Sequence, residues 1–596
     1  MYKGYKNRFL EVDLTRRTFR FGTPSPELWE GYLGGKGAGL KLMWDLGLIN
    51  HDPFAPENPL IFLTGPFTGT PLQTAARSAL ATKSPLTGTF LDSHAGGHFG
   101  PQLKRAGLDY LFITGAADRP LYLHITPSGV SFEDASGLWG KGIFDTEAQL
   151  REKYPDSRVA SIGPAGENRV RFACIGTELY RQYGRGGAGA VMGAKNLKAI
   201  VAEGNEKIDY HDRDGFIELN KALTKDVMEH PNRKRRFELG TNMWIRMGQE
   251  DGRFLPTRNF RDVQFEGYEG ITSEKMREKL GWKSVGCQGC GILCSKEAVW
   301  EGKRVEGPEY ETTAFLGSGC GIGSAEAVAE ANRLCDDLGL DTISAGVVMS
   351  FAMEAFEKGV LTSTDTGGIP LDFGNAEAQQ AVLGMIARRE GVGDVLAEGS
   401  RLAARQLGKG SEYFAIQTAG MELSGVNIKG CASMGLALAT ADFASHTRCW
   451  SATAEMKGLL TFENTPDWVK VNQDGVNTRN SLIVCDFLMY DLDRLAPLFE
   501  KLTGMPMTDA QLQKTGEKLS NLNRMYNVRN GRDRTGDTLP RRFFEEKHLA
   551  GIFEGQLMTE EKFGEWLDLY YASRGWDARG VPTAGKLEEL GLGFAK

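Results

Sequence analysis

Three cysteines lie within eight residues near the middle of the chain, at Cys287, Cys290 and Cys294. Glycines stand between them, and a glycine lets the backbone approach a bulky group closely. The spacing C-x2-C-x3-C can direct three thiolates to one cubic iron–sulfur cluster, which then needs a fourth ligand from elsewhere. Zinc is the structural alternative, because thiolates at short spacing also bind zinc. No second C-x2-C pair stands at zinc-ribbon distance, so the pattern favours the cluster.

Two arginines occur beside small residues. Arg77 lies in Thr74-Ala-Ala-Arg-Ser, and Arg185 lies in Tyr183-Gly-Arg-Gly-Gly. A planar guanidinium next to bare backbone suits an anionic ligand, whereas a surface ion pair is the ordinary alternative. The turn Gly34-Gly-Lys-Gly-Ala-Gly precedes a helical stretch. It is either an ordinary helix entry or a place where backbone N–H groups contact a phosphate or a pterin.

Two acids, Asp336 and Asp341, bracket the predicted end of a helix. Ser324 is a good N-cap residue and Gly339 suits the C′ position, so we expect a helix that ends at about Leu338. Acids at a helix C-terminus oppose the macrodipole, and a hydrogen-bond donor on a ligand would compensate them. From these residues alone, two solvated carboxylates are the simpler interpretation.

Composition bounds the class of protein. The chain has 596 residues, of which 41% are hydrophobic and 25% charged, so we expect two to four globular domains. The net charge is −7 and no long basic run occurs, which argues against a nucleic-acid partner. Nine cysteines in a chain of this length do not indicate a disulfide framework. The N-terminus has no apolar signal core and no run of about eighteen apolar residues exists, so we expect a cytoplasmic protein without a membrane span.

The hydrophobic pattern changes near residue 208. Before it, short apolar runs that start at Phe9, Leu60 and Tyr110 are separated by glycine and proline turns, which is typical of strands. After about residue 210, apolar residues return at helical spacing, and the last third is also helical in pattern. The turn at Gly391 is a candidate boundary. No tandem repeat and no long disordered linker occur.

Ten short segments, each modest alone, follow one another in an order that is highly specific. They are Leu33-Gly-Gly-Lys-Gly-Ala-Gly, Leu63-Thr-Gly-Pro, Thr82-Lys-Ser-Pro-Leu-Thr-Gly, Leu103-Lys-Arg-Ala-Gly-Leu-Asp, Gly189-Ala-Val-Met-Gly-Ala-Lys-Asn-Leu-Lys-Ala-Ile, Leu255-Pro-Thr-Arg-Asn-Phe, Gly307-Pro-Glu-Tyr-Glu, Asp336-Asp-Leu-Gly-Leu-Asp, Gly393-Asp-Val-Leu-Ala-Glu-Gly and Arg574-Gly-Trp-Asp-Ala-Arg-Gly-Val-Pro-Thr. By these segments the chain resembles the aldehyde ferredoxin oxidoreductase family, the tungsten-pterin enzymes, over almost its whole length.

The resemblance implies an α+β fold. Residues 1–208 would form an N-terminal β-rich domain that is the base for two pterins. Residues 209–415 and 416–596 would form two mostly α-helical domains. One tungsten, or molybdenum, would be held by the sulfurs of both pterins, with magnesium bridging the pterin phosphates. A [4Fe-4S] cluster would lie beside one pterin and carry electrons out.

The family's cluster motifs assign ligands by position. Cys287, Cys290 and Cys294 would ligate the cube. The fourth cysteine of the family lies in a D-x-x-G-L-C motif, whose best match here is Asn480-Ser-Leu-Ile-Val-Cys485. The resemblance therefore implies Cys485 as the fourth ligand.

The family's two D-x-x-G-L motifs hydrogen-bond the two pterins. The first is intact at Asp336 and leads to Asp341. In the second, Asn480 replaces the aspartate and Ile483 replaces the glycine. An amide can still accept a hydrogen bond but brings no charge, so pterin contact there departs from the family.

Other residues of this sequence match family positions near the pterin phosphates. Arg77 and Arg185 correspond to the family's phosphate neighbourhood, with Tyr183 in the second segment. Ser93 or His94 stands where the family has an asparagine, which implies an altered magnesium bridge. The family's D-P-R turn is also changed, because residues 427–429 read Asn-Ile-Lys.

Glu311 and His446 match the family's catalytic pair. Glu311 follows Gly-Pro-Glu-Tyr, and His446 ends a segment that is one residue shorter than usual. A helix N-terminal acid and a satisfied core histidine are the alternatives, but the family context favours function for both.

The resemblance implies oxidation of a small aldehyde to a carboxylic acid, with electrons passed to ferredoxin or a ferredoxin-like electron-transfer subunit. A homodimer also fits the family. One alternative is a low-potential reductase subunit that acts on an aromatic acyl-CoA or a carboxylic acid. An alternative of another class is a non-catalytic iron–sulfur electron-transfer subunit.

Overall fold

Two mixed six-stranded sheets form the N-terminal part of the computed structural model, which describes residues 1–488, 490–549 and 551–596. The strands are β1 (Phe9–Asp13), β2 (Thr18–Gly22), β3 (Leu60–Leu63), β4 (Ser78–Lys83), β5 (Phe90–Ala95), β6 (Tyr110–Thr114), β7 (Leu121–Thr126), β8 (Gly129–Asp134), β9 (Arg158–Ser161), β10 (Ile175–Thr177), β11 (Arg181–Tyr183) and β12 (Leu197–Ala202). The helices around them are α1 (Pro26–Tyr32), α2 (Gly35–Asp45), α3 (Phe99–Arg105), α4 (Ile143–Lys153), α5 (Pro164–Glu167) and α6 (Ala188–Ala194).

The strand orders are β2-β1-β6-β3-β4-β5 and β11-β10-β9-β12-β7-β8. Within these two sheets only β1 with β6 and β7 with β12 pair in parallel. Every residue of β3 and β4 is buried, as expected for strands covered on both faces, whereas β1 alternates between buried and half-buried residues. Strand β5 lies at the edge of the first sheet and carries residues 92–94 towards the site.

Helices dominate the middle of the chain. They are α7 (Arg213–Glu229), α8 (Pro231–Leu239), α9 (Trp244–Gln249), α10 (Ser273–Leu280), α11 (Tyr310–Leu316), α12 (Ala325–Leu338), α13 (Thr342–Glu357), α14 (Ala376–Arg388), α15 (Val392–Leu396) and α16 (Ser400–Leu407). A small antiparallel sheet interrupts them, with β13 (Lys283–Val285), β14 (Ser295–Trp300) and β15 (Lys303–Gly307). The helical pattern after residue 210 did not predict this sheet.

The remaining part of the chain is also mainly helical. Its elements are β16 (Gln417–Thr418), β17 (Met421–Glu422), α17 (Ala432–Thr440), α18 (Ala452–Met456), α19 (Thr465–Leu482), α20 (Leu492–Thr503), α21 (Asp509–Arg529), α22 (Arg542–Glu545), α23 (Glu560–Arg574) and α24 (Ala584–Glu589). The predicted α+β architecture, a β-rich base followed by helical parts, is confirmed. The boundaries at residues 208 and 415 remain predictions. No helix in the described ranges has the length and apolar character needed to cross a membrane.

Local signals fix the ends of α12. The Ser324 hydroxyl accepts a hydrogen bond from the Ala327 amide at 3.2 Å, which satisfies one of the free N–H groups of the first turn. Gly339 closes the helix in the left-handed conformation, with a φ of 78°. Both ends are as predicted, and the C-terminal one places Asp336 and Asp341 at the site.

Candidate active site

The loop with three cysteines closes the hairpin between β13 and β14 and meets two distant parts of the chain. A Cβ added to Gly96, just after β5, would stand 2.7 Å from the sulfur of Cys287, so this approach requires a glycine. Cys485 follows the end of α19, and its amide donates to the Thr74 carbonyl at 3.1 Å. The fold therefore brings the edge of the first sheet and the end of α19 to the cysteine loop.

The four cysteines share one electrostatic neighbourhood. Burial and the charge of Cys287 both raise the pKa of Cys294 and of Cys485, the latter to about 12. Burial likewise raises the pKa of Cys290, again with a contribution from Cys287. The other five cysteines are buried elsewhere and do not join this group. The structure thus brings together the four residues that the resemblance implies as cluster ligands.

Two arginines flank the cysteines. Burial lowers the pKa of the Arg77 guanidinium, but Cys485, Asp486 and Cys287 outweigh burial and raise it. Arg181 is affected in the same way by Cys287, and its pKa is also raised. Cationic side chains at this place suit a cluster whose thiolates bring negative charge. Sequence reasoning found Arg77 but assigned it to pterin phosphates, and it missed Arg181.

The distances between the cysteine side chains can be compared with those that a zinc ion requires. Zinc–sulfur bonds are about 2.3 Å long, so the sulfurs around one zinc ion must converge closely. In the described part of the chain no three His, Cys, Asp or Glu side chains converge closely enough to hold one metal ion.

Two helices end in the same way beside the site. Helix α12 ends at Gly339 and α19 ends at Ile483, both in the left-handed conformation. Asp336 and Asn480 stand three positions before these residues, each in the last turn of its helix. The degraded second motif therefore keeps the backbone geometry of the intact one, although its side chains differ.

Asp336 is a buried acid with few donors. Its carboxylate accepts hydrogen bonds from the side-chain amides of Gln182 and Asn332. Burial and the nearby charge of Asp337 raise its pKa well above the usual range. Such a group is stable either as the neutral acid or with further N–H donors from a ligand. The simpler expectation of solvated carboxylates is wrong for both Asp336 and Asp341, because each is buried.

Asp341 links the end of α12 to Arg185. Its side chain caps α13 by accepting from the Ile343 amide at 3.0 Å, and it pairs with Arg185 Nε at 3.2 Å. The Arg185 Nη atoms donate to the Glu422 carbonyl at 2.7 Å and the Ala444 carbonyl at 3.0 Å. Arg185 is therefore occupied by protein acceptors and ties together the two segments that flank the catalytic candidates.

Glu311 and His446 form an ion pair. Glu311 lies in the first turn of α11, and His446 begins a short 3-10 segment that ends at Arg448. The distance from His446 Nδ1 to Glu311 Oε1 is 3.0 Å. The other carboxylate oxygen of Glu311 accepts from the Gly425 amide at 2.7 Å, and the His446 amide donates to the Ser424 hydroxyl at 3.0 Å. Residues from two distant segments thus meet as one acid–base pair.

The pair stabilises its own charges. Burial alone would raise the pKa of Glu311, but the charge of His446 and two hydrogen bonds outweigh it, and the pKa is lowered. Burial alone would lower the pKa of His446, but Glu311 outweighs it, and the pKa is raised. The pair therefore favours an ionised carboxylate and a protonated imidazole near neutral pH.

An aromatic cluster lies on one side of the imidazole. The ring of Trp450 lies edge-on to His446 with centroids 6.0 Å apart, and Trp244 and Phe254 pack on Trp450. Trp450 and Trp244 are both half-buried. Trp450 lies four residues after His446 in the sequence, whereas Trp244 lies about 200 residues away and carried no signal.

Residues 92–94 belong to a buried charge network. His94 Nε2 lies 2.9 Å from Asp92, and Asp92 also pairs with Arg448 at 2.8 Å and Lys36 at 3.1 Å. Burial lowers the pKa of His94 to about 4, so this imidazole is neutral. Magnesium prefers oxygen ligands. The side chains here offer it no carboxylate that is not already held by cations, so they do not fit a magnesium site.

The other predicted cofactor residues are placed as follows. Ser93 is buried on β5, and Asn480 is buried in the last turn of α19. Tyr183 is fully buried, and its hydroxyl is hydrogen-bonded to Ser78. The altered turn at residues 427–429 is also bonded within the protein, because Asn427 donates to the Asp262 carbonyl at 2.8 Å.

The site can be tested for fit to a pterin. A Cβ added to Gly184, in the loop before Arg185, would meet no atom within 4 Å, so its backbone borders open space. Gln182 in the same segment contacts the buried acid Asp336. An open space beside bare backbone and an acid short of donors suits a flat heterocycle that carries N–H groups. These residues fit a pterin, and those around Cys287 fit a cluster.

This arrangement is that of an oxidoreductase built on a two-sheet base. Residues 9–204 match the family model "Aldehyde ferredoxin oxidoreductase, N-terminal domain", and residues 218–592 match the model for domains 2 and 3 of the same family. The chain belongs to the aldehyde ferredoxin oxidoreductase family. This confirms the resemblance inferred from the ten segments, and the relatives named below are oxidoreductase enzymes.

Individual relatives cover nearly the whole chain. The tungsten-containing aldehyde ferredoxin oxidoreductase of Pyrococcus abyssi is 37% identical over 99% of both chains. An aliphatic sulfonate oxidoreductase, WOR-like subunit, of Pyrococcus furiosus is 29% identical over 99% of this chain and 98% of its own. The active-site complex BamBC of benzoyl coenzyme A reductase, solved with 1,5-dienoyl-CoA, has a TM-score of 0.88 at 26% identity and covers 100% of this chain and 98% of its own.

Proposed function

We propose that the protein oxidises small aldehydes to carboxylic acids at a tungsten-bis-pterin centre and passes the electrons through a [4Fe-4S] cluster to ferredoxin. The Glu311–His446 ion pair carries this proposal, because it provides a proton acceptor and a hydrogen-bond donor at one place. The aldehyde oxidoreductases among the relatives support the same reaction. The reducing cytoplasm is the proposed location, since nine free cysteines suit it.

The cofactors would be held by residues of all three parts of the chain. Asp336, Asn480 and the backbone around Gly184 would hold the pterins. Cys287, Cys290, Cys294 and Cys485 would ligate the cluster. When bound, the tungsten accepts the electron pair of the oxidation and the cluster exchanges single electrons.

The protein's own residues manage the protons. Oxidation of an aldehyde adds one oxygen from water and releases two electrons and two protons. Ionised Glu311 would take a proton from water or from the aldehyde hydrate. His446 Nδ1 faces Glu311, so Nε2 would donate a hydrogen bond to the carbonyl oxygen and make the carbonyl carbon more electrophilic. The aromatic side chains of Trp450, Trp244 and Phe254 would exclude water from the bound aldehyde.

The substitution Glu311→Gln tests this role. The new side-chain amide can still accept from the Gly425 N–H, but the charge and the proton acceptor are lost. We expect aldehyde-dependent reduction of a viologen dye to fall by about 10²- to 10⁴-fold, with unchanged tungsten and iron content. Glu377→Gln, at an exposed acid in the first turn of α14, is the matched control and should keep full activity. Full activity in the Glu311 variant would remove this residue from the mechanism.

A second function is supported by a specific observation. The benzoyl-CoA reductase complex shares the whole fold, and the second pterin motif here carries Asn480 and Ile483. The alternative is a low-potential reductase subunit for an aromatic acyl-CoA. Purified protein that reduces viologen with aldehydes but not with a dienoyl-CoA would support the oxidase, and the reverse pattern would support the reductase.

A further inference from the structure

A short basic run lies on the surface beside the cysteine loop. Helix α8 contains Arg233, Lys234, Arg235 and Arg236 in succession, and none of its residues is fully buried. Glu229 and Glu238 flank the run, so the segment keeps a net positive charge. The whole chain, in contrast, has a net charge of −7.

These four side chains have no acidic partners among the described residues. Arg233 Nε donates to the Gly291 carbonyl at 3.1 Å, and Arg235 approaches the sulfur of Met247. The Arg236 guanidinium lies 4.6 Å from the centre of the Phe487 ring. Lys234 is exposed. In the described part of the chain, these four basic side chains are therefore not paired with a carboxylate.

The helix also lies against the loop that would hold the cluster. Gly291, which Arg233 contacts, stands between Cys290 and Cys294. Gly289 in the same loop is exposed, so the loop reaches the surface here. Met228 borders Gly291, because a Cβ there would lie 2.7 Å from the Met228 sulfur. Helix α8 therefore lies next to an exposed part of the loop that would hold the cluster.

We propose that α8 and its surroundings are the docking surface for a small acidic iron–sulfur electron carrier. This inference rests on the proposed function, since it requires a cluster in the cysteine loop. An acidic partner is repelled by the net charge of the chain at long range, so it needs a local positive surface to bind productively. The unpaired charges of α8 provide one at the cluster.

The chemistry around α8 fits such an interface. Met228 and Phe237 expose 41% and 37% of their surface next to the basic residues. Apolar side chains surrounded by charges are typical of transient interfaces, in which the charges orient the partner and the apolar atoms are buried on contact. Such an interface would let the protein and its electron carrier exchange electrons during a short-lived encounter, without forming a stable complex.

The double variant Lys234→Glu with Arg235→Glu tests the proposal, because both side chains are exposed and neither is hydrogen-bonded to the described residues of the cysteine loop. The matched control is Lys514→Glu with Lys562→Glu, two exposed lysines on α21 and α23 that form no ion pair with a described residue. Both doubles change the net charge by the same amount. The probe is a recombinant acidic two-cluster ferredoxin, used with the complete, anaerobically purified enzyme.

At low salt we expect the α8 double variant to raise the KM for ferredoxin about tenfold or more, with kcat for a viologen dye unchanged. Added salt should weaken the wild-type reaction with ferredoxin and leave the variant nearly insensitive. An unchanged KM, or an equal effect of the control variant, would overturn the proposal. If no aldehyde oxidation occurs at all, the proposed function fails. Salt-dependent binding of ferredoxin to the two variants then still decides the docking surface, because binding needs no turnover.

Discussion

At the scale of single residues, the Glu311–His446 ion pair should limit activity on both sides of neutral pH. The raised pKa of His446 means that the attraction is complete below the ordinary imidazole value of about 6.5 and is lost as the pH rises through the raised value. The lowered pKa of Glu311 means that the attraction is complete above the ordinary carboxyl value of about 4.3 and is lost as the pH falls through the lowered value. The pair is intact between these limits.

A His446→Gln variant distinguishes the acidic limit of the pH profile, set by Glu311, from the alkaline limit, set by His446. Without the imidazolium charge, burial is opposed only by the Gly425 hydrogen bond and Arg185 among the causes that act on Glu311. The pKa of Glu311 therefore rises relative to the wild type, and the carboxylate is protonated at higher pH. We expect the acid limb of the pH–rate profile with a viologen dye to move to higher pH, and the alkaline limb to flatten. An acid limb that stays in place would show that another group titrates there.

Single residues also show which parts of the site could be predicted from the sequence. Glu311 and His446 were predicted through the family motifs, and the structure places them in contact. Arg181 and Trp244 were missed, because neither belongs to a motif and each reaches the site only through the fold. Tyr183 was named from its neighbourhood, but its hydroxyl is bonded to Ser78 and its ring packs in the core.

At the scale of elements, the end of α19 has a strained backbone at Ile483, which the packing of the Ile483 side chain offsets. Ile483 has a φ of 60°, a conformation that a β-branched residue adopts at a cost of about 1–2 kcal/mol. Its side chain is almost fully buried and fills space next to Gly35 and Gly65, where an added Cβ would lie 2.5 Å from Ile483 atoms. Removing a buried isoleucine costs about 2–5 kcal/mol, so packing outweighs strain.

Two variants at position 483 measure the energy of the side-chain packing and the cost of the left-handed backbone conformation. Ile483→Ala should lower the thermal unfolding temperature of the anaerobic protein, because packing is lost and the strain remains. Ile483→Gly loses the same packing but relieves the strain, so we expect it to be more stable than the alanine variant by about 1 kcal/mol. Equal stability of the two, or a more stable alanine variant, would contradict the left-handed conformation.

Elements were predictable where local chemistry decides them. Ser324 and Gly339 fixed both ends of α12, because a cap and a left-handed residue act within one turn. Strands β13–β15 were not predicted, since β13 has only three residues and its hydrogen bonds come from β14. Such short strands are stabilised by their partners and not by their own pattern.

At the scale of the whole molecule, the site joins segments that are far apart in sequence. Glu311 comes from the middle of the chain, while His446 and the Gly425 amide come from its last third. Spacing alone could not reveal that Cys485 lies beside Cys287, and only the family motif pointed to it. A cluster bound by both would cross-link two parts of the chain that are otherwise held together by packing.

This cross-link leads to a prediction for Cys485→Ser. Cys294 and Cys485 are roughly 190 residues apart, and in the chain-entropy model a cross-link over a loop of that size contributes on the order of 5 kcal/mol. We expect the variant to lose most of its iron, about four atoms per chain in the wild type, and to unfold at a clearly lower temperature. Cys320→Ser is the matched control, because Cys320 is buried away from the cluster loop and its sulfur lies 3.6 Å from the Gly346 carbonyl oxygen. It should keep its iron even if it is less stable. Full iron content in the Cys485 variant would mean that the fourth ligand lies elsewhere, and the argument that the cluster joins the two parts would then fail with it.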